Sequence, residues 1–189
     1  FTNMTYAGQN ITVNVDTNIP GVTVAYTEPK FVDFVEITVD GNYKFNVKEN
    51  TAPQSRQTSL SFRYDHGEGV QTKNISVSQQ AAPLQLEYPE YVYVGSVINK
   101  LEDLNVPFII NVKTNIPNFD QVANLSISAN FFNYVTCVKL VAGTYSYTFS
   151  AQPNHVWSPR SGRVDFTYYH NGKYNAFSVP ITQKAYPII

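Results

Sequence analysis

Thr17-Asn18-Ile19-Pro20 recurs as Thr114-Asn115-Ile116-Pro117, 97 residues further along the chain. The residues leading into each block match in type: Ile11, Val13 and Val15 stand against Phe108, Ile110 and Val112, alternating with polar neighbours. Toward the end of each unit the offset becomes 104 and holds without gaps. Arg56, Phe62, Tyr64, His66, Gln79, Ala81 and Pro83 then fall on Arg160, Phe166, Tyr168, His170, Gln183, Ala185 and Pro187, 7 identities in 28 positions. Between these anchors Gly41-Asn42-Tyr43 stands opposite Gly143-Thr144-Tyr145, so the difference in offset is absorbed in the middle of the second copy. Three blocks in the same order imply a duplication, and each copy then has roughly 95 residues with which to build a fold and a core.

The copies read as strands. Val22/Val24/Tyr26, Val35/Ile37/Val39, Tyr43/Phe45/Val47 and Leu60/Phe62/Tyr64 each place apolar side chains on one face in the first unit. Ala123/Leu125/Ile127, Tyr145/Tyr147/Phe149, Val164/Phe166/Tyr168 and Val179/Ile181 do so in the second. Period two is the strand signal, and no stretch sustains a helical period over a dozen residues. Asn171-Gly172 between two alternating runs predicts a hairpin with a type I′ turn, and His66-Gly67-Glu68-Gly69 takes the same place in the first unit. About seven short strands per unit predict an all-β chain of two tandem immunoglobulin-like Greek-key β-sandwiches. Each unit closes on Gln-x-Ala-x-Pro, and a proline cannot donate to a ladder, which sets the expected domains at 1–83 and 84–189. Extra sequence at 97–107 in the second unit is either one helical turn or a long loop.

Composition narrows the function classes. Charged residues make up 14% of the chain, aromatics make up another 14%, and the formal net charge is −1. A basic footprint for nucleic acid is therefore missing. No run of about 18 apolar residues is present to span a membrane. The start at Phe1, without a leader pattern, reads as a mature segment or a fragment. The lone Cys137 rules out an internal disulfide.

Each unit also ends in a fixed set of polar residues: Asn50, Arg56 and Gln79 in the first, Asn154, Arg160 and Gln183 in the second. With the alternating strand and hairpin between them, and the preceding Val15-Asp16-Thr17-Asn18 and Val112-Lys113-Thr114-Asn115, this pattern resembles the BACON domain. That family is an immunoglobulin-like module of Bacteroidetes proteins. The resemblance spans nearly the whole chain as two copies. It departs where the family usually has a tryptophan soon after the Asn, since Ile19-Pro20 and Ile116-Pro117 stand there instead. The resemblance implies an extracytoplasmic module of cell-surface or periplasmic glycan-processing proteins, or of a phage virion. It implies no catalytic motif.

The residues offer little chemistry of their own. His66 and His170 take equivalent hairpin positions and His155 stands alone, which reads as structural and supplies no metal site, since a site needs several converging ligands. No nucleophile, zinc, calcium or phosphate-loop pattern is present, so neither an enzyme nor a cofactor is expected. Arg56 and Arg160, each at a strand start, read as structural partners of carboxylates or carbonyls. The sequons at Asn3, Asn10, Asn74 and Asn124 matter only for a eukaryotic source. The candidates for ligand binding are Trp157, in a loop, and Tyr169, which steps out of the inward face of its strand; aromatic rings with polar neighbours are what sugars stack on. A loop tryptophan more often caps the end of a sandwich. The expectation is thus a non-catalytic spacer or protein-interaction element, with glycan binding through exposed aromatics as the alternative. An exposed strand edge pairing with a partner is a further mode that leaves no mark in sequence.

Overall fold

The computed structural model describes residues 1, 3–16, 24–27, 29–65, 67–95, 105–141 and 143–186. The repeated block at 17–20, Val22, His66, Pro187 and the stretch 97–104 lie outside the described residues. Chain contacts divide the protein into two compact units, Phe1–Pro83 and Leu84–Ile189.

The first unit comprises β1 (Gln9–Val13), β2 (Val24–Thr27), β3 (Val32–Ile37), β4 (Tyr43–Val47), β5 (Arg56–Asp65) and β6 (Val70–Gln79). They form the sheets β1-β4-β3 and β2-β5-β6, and Met4 adds a parallel bridge to Gln79. The second unit comprises β7 (Leu86–Glu87), β8 (Val92–Val94), β9 (Val106–Thr114), the single turn α1 (Phe119–Val122), β10 (Ala123–Ile127), β11 (Phe132–Lys139), β12 (Thr144–Ala151), β13 (Arg160–His170) and β14 (Lys173–Gln183). Its sheets are β11-β12-β9-β7 and β10-β13-β14-β8. The opening strand is split, because β7 pairs with β9 while β8 crosses over to run parallel to β14. With that split, the strand orders are those of an immunoglobulin sandwich. The chain is nearly all-β, and among the described residues its one helical turn is pinned by the buried Phe119 behind Asn118, whose φ is +52°.

Alternation puts one side of each strand into a core. Val164, Phe166 and Tyr168 of β13 and Tyr145, Tyr147 and Phe149 of β12 are buried, while their neighbours in sequence face out. Ring pairs fill the space, among them Phe166–Phe177 at 4.7 Å and Phe108–Phe149 at 5.1 Å. The first unit has its own cluster, with Val32, Phe45, Val47, Leu60 and Val77 fully enclosed. Each such side chain contributes about 1.5–3 kcal/mol by leaving water.

The inward face expected for Val35/Ile37/Val39 is not the one observed. All three are exposed, and Val32 and Phe34 point inward instead. The register of β3 on β4 slips at a bulge between Phe34 and Glu36 that leaves Val35 unpaired. Beyond it Ile37 pairs with the buried Tyr43 but stays exposed at the end of the strand, and Val39 lies in the turn that follows. The same slip occurs in β11 between Tyr134 and Thr136, around Val135.

Registers also place the extra length of the second unit. Ile11 pairs with Phe45 as Phe108 pairs with Phe149, so β4 and β12 already correspond at the larger offset. Gly41 and Gly143 mark the same turn, at the end of a hairpin two residues longer on each arm in the second unit. The predicted turn at the other hairpin has Asn171 at φ +50° and Gly172 at φ +75°, the left-handed pair a type I′ turn needs.

Candidate functional site

The repeated polar residues form the same network in both units. Asn50 follows β4, is buried, and donates through Nδ2 to the carbonyls of Gln54 and Gln80, both at 2.8 Å. Its Oδ1 accepts from the Ala52 N–H. Asn154 does likewise with Ser158, Lys184 and Val156. Arg56 opens β5 opposite Gln79, the last residue of β6, and donates from Nε to Gln79 Oε1 at 2.9 Å. Its Nη2 donates to the carbonyls of Lys48 and Glu49, and the guanidinium lies 4.2 Å over the Phe31 ring. Arg160 repeats this with Gln183, the carbonyls of Gln152 and Pro153, and the Phe131 ring. Gln79 Nε2 reaches the carbonyls of Tyr6, Ala7 and Lys48, and Gln183 Nε2 those of Gly95 and Gln152.

This geometry explains the spacing. The step of six from Asn to Arg spans the turn that the Asn side chain closes, and the step to Gln is the length of the β5–β6 or β13–β14 hairpin. Burial lowers the pKa of both guanidinium groups from the ordinary value. Most of the donors and acceptors of the set are spent on the backbone, so the network is structural and ties three chain segments at one end of each sandwich.

The two predicted site residues lie apart. Trp157, in the loop before β13, is 68% exposed and does not cap the sandwich. Tyr169 is exposed near the far end of the same strand, roughly 30 Å away at the rise of an extended chain. They do not form one site. Tyr169 meets Tyr174 across the hairpin at 5.2 Å, with planes at 68°. Sequence reading missed Tyr174, and also Tyr91 and Tyr93, which are exposed and meet at 5.0 Å and 67°. The alternation of Tyr91-Val92-Tyr93-Val94 is the signal that marks them, because Val94 is buried and the tyrosines therefore face out.

Tyr93, Tyr169 and Tyr174 lie on the outward register of the β10-β13-β14-β8 sheet, with a polar strip between the two pairs. In that strip Asp165 accepts from Arg163 Nε at 2.9 Å and from the Ser178 hydroxyl. The Ser178 bond, followed by Arg163, holds the Asp165 carboxyl below the usual aspartate range. His170 is buried as the last residue of β13, and His155 is exposed. Among the described residues no three of His, Cys, Asp and Glu are grouped to hold a metal ion. Among them too, no helix is long and apolar enough to cross a membrane.

Residues 31–80 match the model of the BACON family, described as "Putative binding domain, N-terminal". The match takes in Asn50, Arg56 and Gln79, on which the sequence resemblance rests. No curated protein matches the chain. Among solved structures, the chain is similar to an endo-fucoidan hydrolase from glycoside hydrolase family 107, at 10% identity and a TM-score of 0.36, covering 97% of this chain and 27% of that one. It is similar to zebrafish RET cadherin-like domains 1 to 4, at 12% identity and a TM-score of 0.38, covering 90% and 42%. A third is a SusE-like surface located polysaccharide binding protein from the Bacteroides thetaiotaomicron heparin utilisation locus, at 12% identity and a TM-score of 0.32, covering 93% and 31%. The chain thus spans less than half the length of these three proteins, and none of their activities is carried over to it.

Proposed function

We propose that this chain is a non-catalytic binding module of an extracytoplasmic protein, acting as a spacer and making a protein contact through the outer face of the β10-β13-β14-β8 sheet. The observation that carries this reading is the pair of exposed tyrosine clusters, Tyr91/Tyr93 and Tyr169/Tyr174, set beyond either end of the Arg163–Asp165–Ser178 strip. Tyrosine and arginine are enriched in protein interfaces, where a rigid ring brings contact area and its hydroxyl a hydrogen bond. Both clusters are edge-to-face, at 67° and 68°, so neither offers the coplanar rings along which a sugar chain stacks. The description of the BACON family as a binding domain supports a binding role.

The test is titration of the protein against a panel of polysaccharides, beside a Tyr91→Ala/Tyr93→Ala variant and Trp157→Ala. No binding is expected. Binding that is lost in either variant would replace this reading with a carbohydrate-binding module, since losing a stacked ring at a hot spot costs about 2 kcal/mol or more.

A further inference from the structure

The first unit holds a cavity of about 500 Å³ lined by Asn3, Ser55, Arg56, Gln57, Ser78, Gln79 and Gln80. That volume is in the range of small-ligand sites. Its lining residues are an arginine, four with side-chain amides and two serines, without an acidic or an aromatic residue. Of the amides, that of Gln79 is buried and spent on the network, which leaves Asn3, Gln57 and Gln80. Of the guanidinium, Nε and Nη2 are spent on Gln79, Lys48 and Glu49. Nη1 makes no hydrogen bond to the described residues and keeps its donors. Asn3 is held at the rim in a left-handed conformation, φ +58°, with its N–H donated to Ser78 Oγ at 3.0 Å. The site is thus donor-rich around a fixed positive charge, and lacks the apolar face on which a sugar ring stacks.

The second unit keeps the frame and changes the rim. Val94 pairs with Gln183 as Met4 bridges to Gln79, so Tyr93 stands where Asn3 stands. At the 104-residue offset Pro159, Ser161, Thr182 and Lys184 replace Ser55, Gln57, Ser78 and Gln80. The Arg–Gln pair recurs, whereas the surrounding amides belong to the first unit alone.

We infer that this cavity receives a carboxylate, presented by the aspartate or glutamate side chain of a partner peptide. A carboxylate accepts from a guanidinium nitrogen and flanking amide or hydroxyl donors in one plane, and such charge-assisted bonds are about twice as strong as neutral ones. The peptide source rests on the reading of the chain as a protein-interaction module; the carboxylate chemistry rests on the cavity alone.

The experiment titrates the ¹⁵N-labelled full chain with N-acetylglutamate amide, its neutral glutamine analogue, and glucuronate. Saturable shifts at the amides of Ser55, Gln57 and Gln80 are expected with the acid and none with the glutamine analogue. Gln57→Glu places a like charge on the rim without touching the Asn50–Arg56–Gln79 network, and weakens the response about tenfold or more. Gln57→Ala, neutral at the same position, keeps a saturable response to the acid. Equal response to acid and amide analogue, or undiminished binding by Gln57→Glu, overturns the proposal. A response to glucuronate with none to N-acetylglutamate amide overturns the peptide source. None of these outcomes bears on the tyrosine face, whose own test uses different residues.

Discussion

Gln183 illustrates how much one side chain holds together. It is fully buried, accepts from Arg160 Nε, and donates to the carbonyls of Gly95 and Gln152. Gln183→Ala strands those partners and is expected to cost about 3 kcal/mol in urea unfolding. Gln183→Glu separates the roles, because it restores an acceptor for Arg160 but turns an acceptor toward two carbonyls. It too is expected to destabilise, by about 2 kcal/mol. A Glu variant as stable as the parent would reduce the network to a charge clamp. On the outer face, Asp165 has its folded pKa lowered chiefly by the Ser178 hydroxyl. A depressed carboxylate pKa stabilises the fold above the unfolded value, about 3.9, and the contribution fades as pH falls through the folded value. Ser178→Ala should therefore raise the Asp165 pKa and destabilise the protein at neutral pH, with the difference closing in acid; an NMR titration of the Asp165 carboxyl checks the first and urea melts at each pH the second. The polar network was legible in sequence as a recurring spacing, and its structural role followed from arginines at strand starts. The tyrosine face was legible only in part. Tyr169 stepped out of a clear alternation, but Tyr93 sits on the three-residue β8 and Tyr91 just before it, a run too short to declare which register faces the core.

At the scale of elements, β5, β6, β13 and β14 were legible because long two-residue alternation and turn chemistry agree there. The edge strands β3 and β11 were not. Each carries a bulge, at Val35 and Val135, and a single inserted residue breaks the two-residue period that marks which face is buried. Such bulges also blunt an open edge against pairing with other chains. The hairpin after each bulge offers a direct comparison. Gly41 and Gly143 occupy the same turn at φ +77° and +73°, but an added Cβ meets nothing at Gly41 and lies 2.5 Å from the Thr114 carbonyl oxygen at Gly143. Gly41→Ala should then cost only the left-handed backbone term, about 1 kcal/mol. Gly143→Ala adds a clash with backbone and should cost about 3 kcal/mol in all. Equal losses of stability, each measured against the parent transition of its own unit in urea, would mean that the longer hairpin of the second unit shifts freely off β9.

Over the whole molecule, the described side chains form two separate buried clusters, one around Phe45 and Leu60 and the other around Phe149 and Phe166. Each unit also closes its own Asn–Arg–Gln network from its own residues. Among the described residues each core and each network is made of its own unit's side chains, so we expect residues 1–83 and 84–189 to fold separately. Expressed alone, each should unfold in one cooperative transition whose midpoint agrees by circular dichroism and by tyrosine fluorescence. The second should melt at the higher temperature, since it is longer and its core holds more rings, and buried fraction rises with chain length. A full chain that melts cooperatively while neither half does would show that stability is shared between the units, and the boundary at Pro83 would then be misplaced.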